Sequence, residues 1–367
     1  MIFFLASLTI AFVAIASFLA FGTFWPKKRE ELPLTDFSEA VLKVGESAEV
    51  APLLKILTWN VQFFAGKKRC FFFDVPGGSG PDTRPSSEEI RETIEGAARL
   101  LRERDADVVF LQEVDQGAVR TGREDQLARL LDLIGRKRYP WVAQTFYWKA
   151  GFVPHPKIWG SVGMKLVTLS KLPLEPTAIR WALPEMPHSW LERRFQLKRA
   201  MLESIVSCGP WKGLRLLNTH LDAFAQGFDT MEQQVEVVAR RLETLDREAL
   251  PWCMGGDFNL LMPGARATLV PPHQGLYRQP SEIQRLLSSF VSFPSQAELS
   301  SSTASRFFTY FSNDPAIGRP DRALDYIFYS KLLSRCDAAV FQDSAQGLSD
   351  HFPVELCLTG EARPSIL

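Results

Sequence analysis

The segment GGDFNL, residues 255–260, follows an apolar stretch and places Asp257 and Asn259 two positions apart. In an extended chain, residues i and i+2 lie on the same face. A carboxylate and a carboxamide that point the same way at a strand end bind a metal ion or a phosphate, but they also occur in ordinary polar turns. Taken alone, the segment favours a turn, so other residues must decide.

Other polar residues also stand at the ends of apolar runs that are typical of strands. They are Asn60 after LTW, Glu113 after VVFLQ, His220 after LLNT with Asp222 two residues on, Asp325 after RAL, and the pair Asp350-His351 before FPVEL. Polar side chains at buried strand ends are unfavourable unless they are paired or bind a ligand. Several carboxylates at one site repel one another, and a divalent cation relieves that repulsion. Oxygen ligands without thiolates favour Mg²⁺ or Mn²⁺ over zinc.

Each of these residues also has an ordinary structural explanation. A glutamate after a strand is usually a solvated charge, an Asp-His pair is usually part of a turn, and a lone histidine is usually half-buried and paired. Short motifs taken singly carry a high risk of false matches. Only the occurrence of the whole set at strand ends favours a catalytic site.

The elements that must position these residues are mostly strands. Apolar runs typical of strands lie at 56–62, 106–114, 161–174, 199–208, 214–223, 250–256, 323–330 and 352–358. Helices are predicted after a capping-box spacing at Ser86 and Glu89, over 123–135 and over 229–246. Many strands with few helices indicate two stacked sheets with helices on their outer faces.

The chain resembles the endonuclease/exonuclease/phosphatase superfamily in six segments that occur in the family's order: TWNVQ, LQEV, NTHLDA, GGDFNL, ALDYIFYS and SDHFPV. The resemblance covers about residues 54–360. It implies a four-layer α/β/β/α sandwich and a metal-dependent phosphoric ester hydrolase. The superfamily includes deoxyribonucleases, apurinic endonucleases, inositol-phosphate 5-phosphatases and neutral sphingomyelinases, so the fold leaves the substrate open.

The resemblance also implies a metal site. Glu113 would be the principal ligand of Mg²⁺ or Mn²⁺, with Asn60 beside it and Asp350 completing the shell of the metal and the phosphate. Asp257 would position or activate the attacking water. The number of ions, one or two, is left open.

The same resemblance implies roles for the remaining residues. Asn259 and His220 would bind the phosphate and stabilise its developing charge. His351 would act as a general acid or base, oriented by Asp325. This assignment is chemically reasonable because an anionic phosphodiester repels nucleophiles until a metal and donors neutralise it.

The composition restricts the possible partners. The chain has 367 residues, with 42 basic and 42 acidic ones, so its formal net charge of zero provides no general attraction to nucleic acid. Its five cysteines are scattered without a Cys-x-x-Cys pair, which predicts free thiols and no zinc site.

Residues 1–25 contain no charge, and as a helix they are long enough to cross a hydrocarbon core of about 30 Å. We predict a single-pass transmembrane anchor over 1–25, a tether over 26–52 and a catalytic domain over 53–360. The basic residues Lys27, Lys28 and Arg29 favour a cytoplasmic catalytic domain. A cleaved signal peptide is the less favoured alternative, because Met1-Ile2-Phe3 offers no basic start.

The substrate class depends on weaker features. The THL-x-A form at His220, the anchor and the loop 64–85, which contains KKR and FFF, favour a lipid head-group phosphodiester and a sphingomyelinase-like activity. The same basic and aromatic residues suit an endonuclease. An inositol-phosphate or other phosphomonoesterase is less favoured, because ALDYIFYS and SDHFPV contain no basic residue. A catalytically silent scaffold is disfavoured by the intact motifs.

Overall fold

A computed structural model of the chain describes residues 22–38, 53–223 and 227–360, together with residues 7, 9 and 17. The strands are β1 (Arg29–Pro33), β2 (Thr35–Asp36), β3 (Leu54–Asn60), β4 (Val108–Asp115), β5 (Trp141–Val153), β6 (Gly160–Ser170), β7 (Thr177–Ala182), β8 (Ala200–Ile205), β9 (Arg215–His220), β10 (Trp252–Asp257), β11 (Val291–Phe293), β12 (Asp325–Tyr329), β13 (Leu333–Val340) and β14 (Val354–Gly360). The longer helices are α1 (Ser87–Arg104), α2 (Gln126–Ile134) and α3 (Thr230–Arg247). The one-turn helices are α4 (Pro271–Gln274), α5 (Gln284–Leu287), α6 (Gln296–Leu299) and α7 (Gln342–Ala345).

These strands form two mixed sheets. The first sheet has the order β13-β14-β3-β4-β6-β5-β2, and the second has the order β1-β7-β8-β9-β10-β12-β11. Within each sheet one central pair is parallel, β3 with β4 and β9 with β10. The other strand pairs are antiparallel.

Buried apolar side chains hold the layers together. Ile56 and Phe110 from the first sheet and Ile327 from the second belong to one buried cluster between the sheets. A second cluster packs α1 and α2 on the outer face of the first sheet, and a third packs α3 on the outer face of the second. The result is the four-layer α/β/β/α sandwich that the sequence predicts.

Helix α1 illustrates how local sequence sets an element. Ser86 accepts a hydrogen bond from the Glu89 amide, and the Glu89 side chain accepts one from the Ser86 amide, which is the predicted capping box. Asp105 ends the helix in a left-handed conformation. The buried residues of the helix, among them Ile90 and Ile94, recur at helical spacing and face the first sheet.

The segment 26–52, expected to be a tether, is in part a component of the sandwich. Strand β1 pairs with β7 at the edge of the second sheet, and β2 pairs with β5 at the edge of the first. Leu32 and Leu34 pack against a buried cluster that contains residues of both sheets. Burial of these two leucines explains why a largely polar segment is ordered here.

The predicted transmembrane helix over 1–25 lies almost wholly outside the described residues. Its last residues, 22–25, are described and are not helical. Among the residues that the structure describes, no helix has both the length and the apolarity to cross a bilayer.

Candidate active site

The strand directions bring the predicted residues to one edge of the sandwich. Asn60, His220 and Asp257 are the last residues of β3, β9 and β10. Asp325 begins β12, which runs antiparallel to β10, and register places Asp257 between His220 and Asp325. Parallel strands end at the same edge of a sheet, and an antiparallel neighbour begins at that edge. The polar groups of both sheets therefore meet at this edge of the sandwich.

Asn60 connects the two sheets at this edge. Its Nδ2 atom donates to Glu113 Oε1 at 3.1 Å, within the first sheet, and to Asp257 Oδ2 at 2.9 Å, across the interface. Its Oδ1 atom accepts from the amide of Gln62 at 2.9 Å. Asn60 therefore fixes the distance between the two carboxylates. In the sequence, only its position after LTW indicates this role.

The backbone at Glu113 is unusual for a strand. Glu113 has φ +61°, and the pairing of β4 with β6 shifts register between Leu111 and Val114. A non-glycine residue in the left-handed region of a strand marks a bulge that re-aims a side chain, and such strain concentrates at functional sites. The bulge turns the Glu113 carboxylate toward the second sheet, where its side chain is 19% exposed.

Asn259 reaches the site by a turn and not by the extended geometry that the sequence predicts. Strand β10 ends at Asp257, and Asn259 has φ +52°. The Asn259 amide donates to Asp257 Oδ1 at 2.9 Å, as in an Asx turn. This turn places Asn259 Nδ2 3.1 Å from His220 Nε2 and 3.2 Å from the Leu221 carbonyl oxygen.

His220 is buried between Tyr147 and Asn259. Burial, with the positive charges of Arg199 and His351, lowers the pKa of His220 well below its ordinary value. His220 Nδ1 lies 3.2 Å from the Tyr147 hydroxyl, and Nε2 lies 3.1 Å from Asn259 Nδ2; the tautomer decides which atom of each pair donates. Nε2 also lies 3.3 Å from Asp257 Oδ2.

His351 and Asp325 form a buried pair. His351 Nδ1 lies 2.7 Å from Asp325 Oδ2, which also accepts from the Thr309 hydroxyl at 2.6 Å. Burial alone would lower the pKa of His351, but the carboxylates of Asp325 and Asp257 outweigh it and raise the pKa well above its ordinary value. His351 Nε2 faces Asp257 Oδ2 at 3.6 Å. An imidazole oriented in this way is suited to proton transfer.

The buried carboxyl groups fit a divalent cation. Burial raises the pKa of Glu113, and it raises the pKa values of Asp257 and Asp350 to about 6 each. Asp325 Oδ1 is buried, without a hydrogen-bond partner among the described residues. A hard ion would favour the ionised forms of carboxyl groups whose pKa values burial has raised. Glu113, Asn60 and Asp350 would hold it, as the resemblance implies.

The described residues also contain a group of three side chains whose ligand atoms lie within 4.8 Å, namely Asp257, Asp325 and His351. Two of them, Asp325 and His351, are already joined by the 2.7 Å hydrogen bond. We therefore assign Asp325 the role of orienting His351. The metal would bind on the side of Asp257 that faces Glu113.

The two glycines of GGDFNL lie where the neighbouring strand and the opposite sheet leave no room for a side chain. A Cβ atom at Gly256 would lie 2.1 Å from the carbonyl oxygen of Thr219 on the parallel strand β9. At Gly255 it would lie 2.7 Å from the Phe110 side chain of the opposite sheet. The glycines therefore permit close packing of strand on strand and of sheet on sheet.

A cavity of about 330 Å³ opens over these residues. Six of the eight predicted site residues line it: Glu113, His220, Asp257, Asn259, Asp350 and His351. Asn60 and Asp325 lie beneath and bond to lining residues. The lining also includes apolar side chains, namely Phe63, Phe71, Phe72, Phe73, Trp148, Ile158, Met186 and Leu197.

Three residues that the sequence did not single out as functional also belong to this site. Tyr147 bonds to His220 from β5, a strand that the sequence pattern does not predict. Arg120 lines the cavity, held by a bidentate pair with Asp115 at 2.8 and 2.9 Å. Arg199 is buried, and its Nε donates to Asp222 at 3.0 Å. A basic residue directly before an apolar strand is the signal that could have indicated Arg199.

A family model described as the endonuclease/exonuclease/phosphatase family matches residues 57–351 of the chain. The chain belongs to this family. The match extends from β3 to the Asp350-His351 pair and so includes every predicted site residue. Membership makes the protein a phosphoric ester hydrolase, in agreement with the resemblance of its motifs.

Solved structures agree on the fold. An endonuclease/exonuclease/phosphatase protein from Beutenbergia cavernae DSM 12333 has 20% identity and a TM-score of 0.54, covering 84% of this chain and 72% of its own. The catalytic domain of human nocturnin with bound sulfate has 18% identity and a TM-score of 0.51, covering 90% and 97%. TDP2 of D. rerio, complexed with a single-strand DNA product, has 15% identity and a TM-score of 0.50, covering 83% and 98%. No curated protein sequence matches the chain.

Proposed function

We propose that the protein is a Mg²⁺- or Mn²⁺-dependent phosphodiesterase whose substrate is the head-group phosphodiester of a lipid. The observation that carries the substrate class is the mixed lining of the cavity, which combines carboxylates and histidines with phenylalanine, tryptophan and aliphatic side chains. A phosphodiester that carries an apolar group would match both kinds of side chain.

The reaction is displacement at phosphorus by water, which forms one P–O bond and breaks another. Glu113, Asn60 and Asp350 would hold the metal, which would supply charge neutralisation at the phosphate. Asp257 accepts a hydrogen bond from the attacking water, and the side chains of Asn259 and His220 donate to the phosphoryl oxygens. His351, held by Asp325, exchanges a proton with the entering or the leaving oxygen.

A metal-dependent endonuclease is the second candidate. The stacked pair Phe71 and Phe73, with ring centroids 5.3 Å apart, and the cavity residues Phe72 and Trp148 resemble platforms on which bases stack. One structure of similar fold, D. rerio TDP2, is complexed with a single-strand DNA product. A third class, inositol phosphates and other phosphomonoesters, is less favoured because an inositol phosphate carries no apolar group to match the apolar side chains of the lining.

The test uses the full chain in detergent with Mg²⁺. Sphingomyelin and other phospholipids, a single-stranded oligonucleotide, plasmid DNA and an inositol polyphosphate are offered in parallel. Asp257→Ala serves as the inactive control, and Asp132→Asn, on an exposed part of α2, serves as the matched control. Release of a phosphorylated head group that needs Asp257 supports the lipid assignment. Hydrolysis of the oligonucleotide or plasmid alone would replace it with the nuclease.

A further inference from the structure

A set of exposed aromatic and basic side chains lies around the mouth of the cavity, and we call it the aromatic rim. It comprises Trp25, Phe73, Trp159, Trp190, Leu191, Arg84, Lys157, Arg193 and Arg194. Trp159 is 68% exposed and Trp190 is 62% exposed. Large apolar side chains that are this exposed and grouped together indicate an interaction surface.

One part of the rim joins the N-terminal segment to the loop before β8. The guanidinium of Arg194 lies 4.1 Å from the ring centroid of Trp25 and 4.9 Å from that of Trp190. The ammonium of Lys198 lies 4.8 Å from the Trp25 ring. These contacts hold the two indoles on the same side of the molecule.

The next part of the rim joins that loop to β5 and β6. Trp148 Nε1 donates to the Phe195 carbonyl oxygen at 2.7 Å, and Phe195 packs with Ile158 on one small buried cluster. The neighbour of Ile158, Trp159, packs edge-to-face on Phe152 with ring centroids 5.1 Å apart. Trp159 and Trp190 therefore lie on neighbouring loops.

The last part of the rim borders the cavity itself. Phe72 stacks on His155 with ring centroids 6.0 Å apart, and Arg84 donates to the Lys157 carbonyl oxygen. Four rim or near-rim residues, Phe72, Phe73, Arg84 and Lys157, also line the cavity. A surface that covers the rim would therefore face the cavity mouth.

The chain enters the catalytic domain at the same place. The Gly22 carbonyl oxygen accepts from the Gly151 amide at 2.8 Å, and Thr23 forms a β-bridge with Ala150 on β5. The 21 residues that precede Gly22 contain no charged side chain. An uncharged, largely apolar stretch thus connects to the domain beside Trp25, within the rim.

We propose that the aromatic rim docks on a lipid bilayer, with the cavity mouth directed at the head groups and residues 1–21 entering the same membrane. Indole rings are favoured at the boundary between hydrocarbon and head groups. Docking itself does not depend on the proposed function. The inference rests on that function only in its choice of a lipid as the substrate that enters the cavity.

Charge argues for a bilayer over nucleic acid. Glu185 pairs with Arg193 at 3.3 Å and with Lys198 at 2.6 Å, and Asp82 pairs with Arg84 at 3.2 Å. The basic residues of the rim are thus partly neutralised. A nucleic-acid surface depends on uncompensated cations that displace counterions, whereas insertion of exposed indoles does not.

The test reconstitutes the full chain in vesicles of phosphatidylcholine with phosphatidylserine, with or without bromine on the acyl chains. Bromine quenches tryptophan that reaches the acyl region. We expect quenching in the wild-type protein and loss of most of it in the double variant Trp159→Phe, Trp190→Phe. The matched control is Trp211→Phe, whose indole is buried beside the C-terminal end of β14, and it retains the quenching.

Equal quenching in the double variant and the wild type, or none in either, would overturn the proposal. A second arm measures binding of a single-stranded oligonucleotide, and binding that is lost in Trp159→Ser, Trp190→Ser without any bromine quenching would assign the rim to nucleic acid instead. Hydrolysis of a water-soluble nitrophenyl phosphodiester is followed separately. It reports on the proposed function and on folding, so its failure is distinguishable from failure to dock.

Discussion

We use the name catalytic wall for the predicted site residues that line the cavity or lie directly beneath its lining. The catalytic wall and the aromatic rim are built in opposite ways. In the wall, Asn60, His220, Asp257 and Asp325 stand at the ends of central strands, and their side chains are fixed by hydrogen bonds. In the rim, residues such as Trp159 and Trp190 stand on loops and are held by ring and cation contacts. Catalysis requires fixed distances between groups, and the side chains of the wall provide them. Recognition tolerates adjustable side chains, and those of the rim are of this kind.

The difference extends to burial. Burial raises the pKa values of the wall's carboxyl groups and lowers that of His220, so the wall is an electrostatically demanding environment. The rim's tryptophans are exposed to solvent and have few such constraints. Substitutions in the wall should therefore cost rate or stability, and substitutions in the rim should change which substrates reach the wall.

Metal removal should have the largest effect. Chelation is expected to abolish hydrolysis of every substrate, because the buried carboxylates would then repel the phosphate, and added Mg²⁺ or Mn²⁺ should restore it. Glu113→Gln should raise the metal concentration needed for half-maximal rate. Full activity in excess chelator would remove the metal from the mechanism.

Loss of the histidine in the wall comes next. His351→Gln should lower kcat by about 10²- to 10⁴-fold, the usual contribution of a general acid or base, with KM little changed. Steady-state kinetics on a soluble nitrophenyl diester measure this, and thermal melting checks the fold. The acid–base role fails if the variant keeps the wild-type kcat.

Asp325→Asn should have an intermediate effect, a rate loss of about 10- to 100-fold as for other partners of catalytic groups. The Asp325 carboxylate raises the pKa of His351, so its removal lowers that pKa. At saturating metal, the limb of the pH–rate profile that belongs to His351 should move to lower pH, whichever proton step it reports. An unmoved profile would show that Asp325 does not control His351.

Packing under the wall should be less tolerant than packing under the rim. Gly256→Ala is expected to lower the free energy of unfolding by about 1–3 kcal/mol, because its Cβ would meet the Thr219 backbone. Gly78→Ala, in the loop near the rim, has φ +71° and open space, so only about 1 kcal/mol is expected. Urea unfolding of both variants tests the ranking, and equal losses would contradict it.

The smallest expected effect is at the rim. Phe73→Ser should raise KM for a lipid substrate roughly fivefold, as about 1 kcal/mol of partial apolar burial implies. The kcat for a soluble nitrophenyl diester should stay near wild type, since Phe73 does not contact the wall's hydrogen bonds. A matching fall in the soluble-substrate kcat would erase the distinction between wall and rim.

The sequence predicts the wall better than the rim because the wall is encoded locally. Asn60, Glu113, His220, Asp257 and Asp325 each follow or begin an apolar run, so their positions at one sheet edge follow from strand direction. The turn at Asn259 and the bulge at Glu113 escape prediction because they depend on the positive φ values of single residues.

Contacts between distant segments are the part that local patterns do not contain. Tyr147 lies on β5, where polar and aromatic residues mix and no clean alternation indicates a strand. The burial of Arg199 depends on Asp222, which lies 23 positions away. The grouping of the rim residues depends on the packing of three separate loops and the N-terminal segment that carries Trp25.

Strands β1 and β2 carry a practical consequence. Together they cover the edge of β7 and part of the edge of β5. An uncovered strand edge offers unpaired amides and carbonyls to another chain. A recombinant protein that began at residue 53 would leave one edge of each sheet open to intermolecular pairing. A shortened protein should therefore retain residues from Gly22 onward if it is to stay dispersed at the concentrations used for structural work.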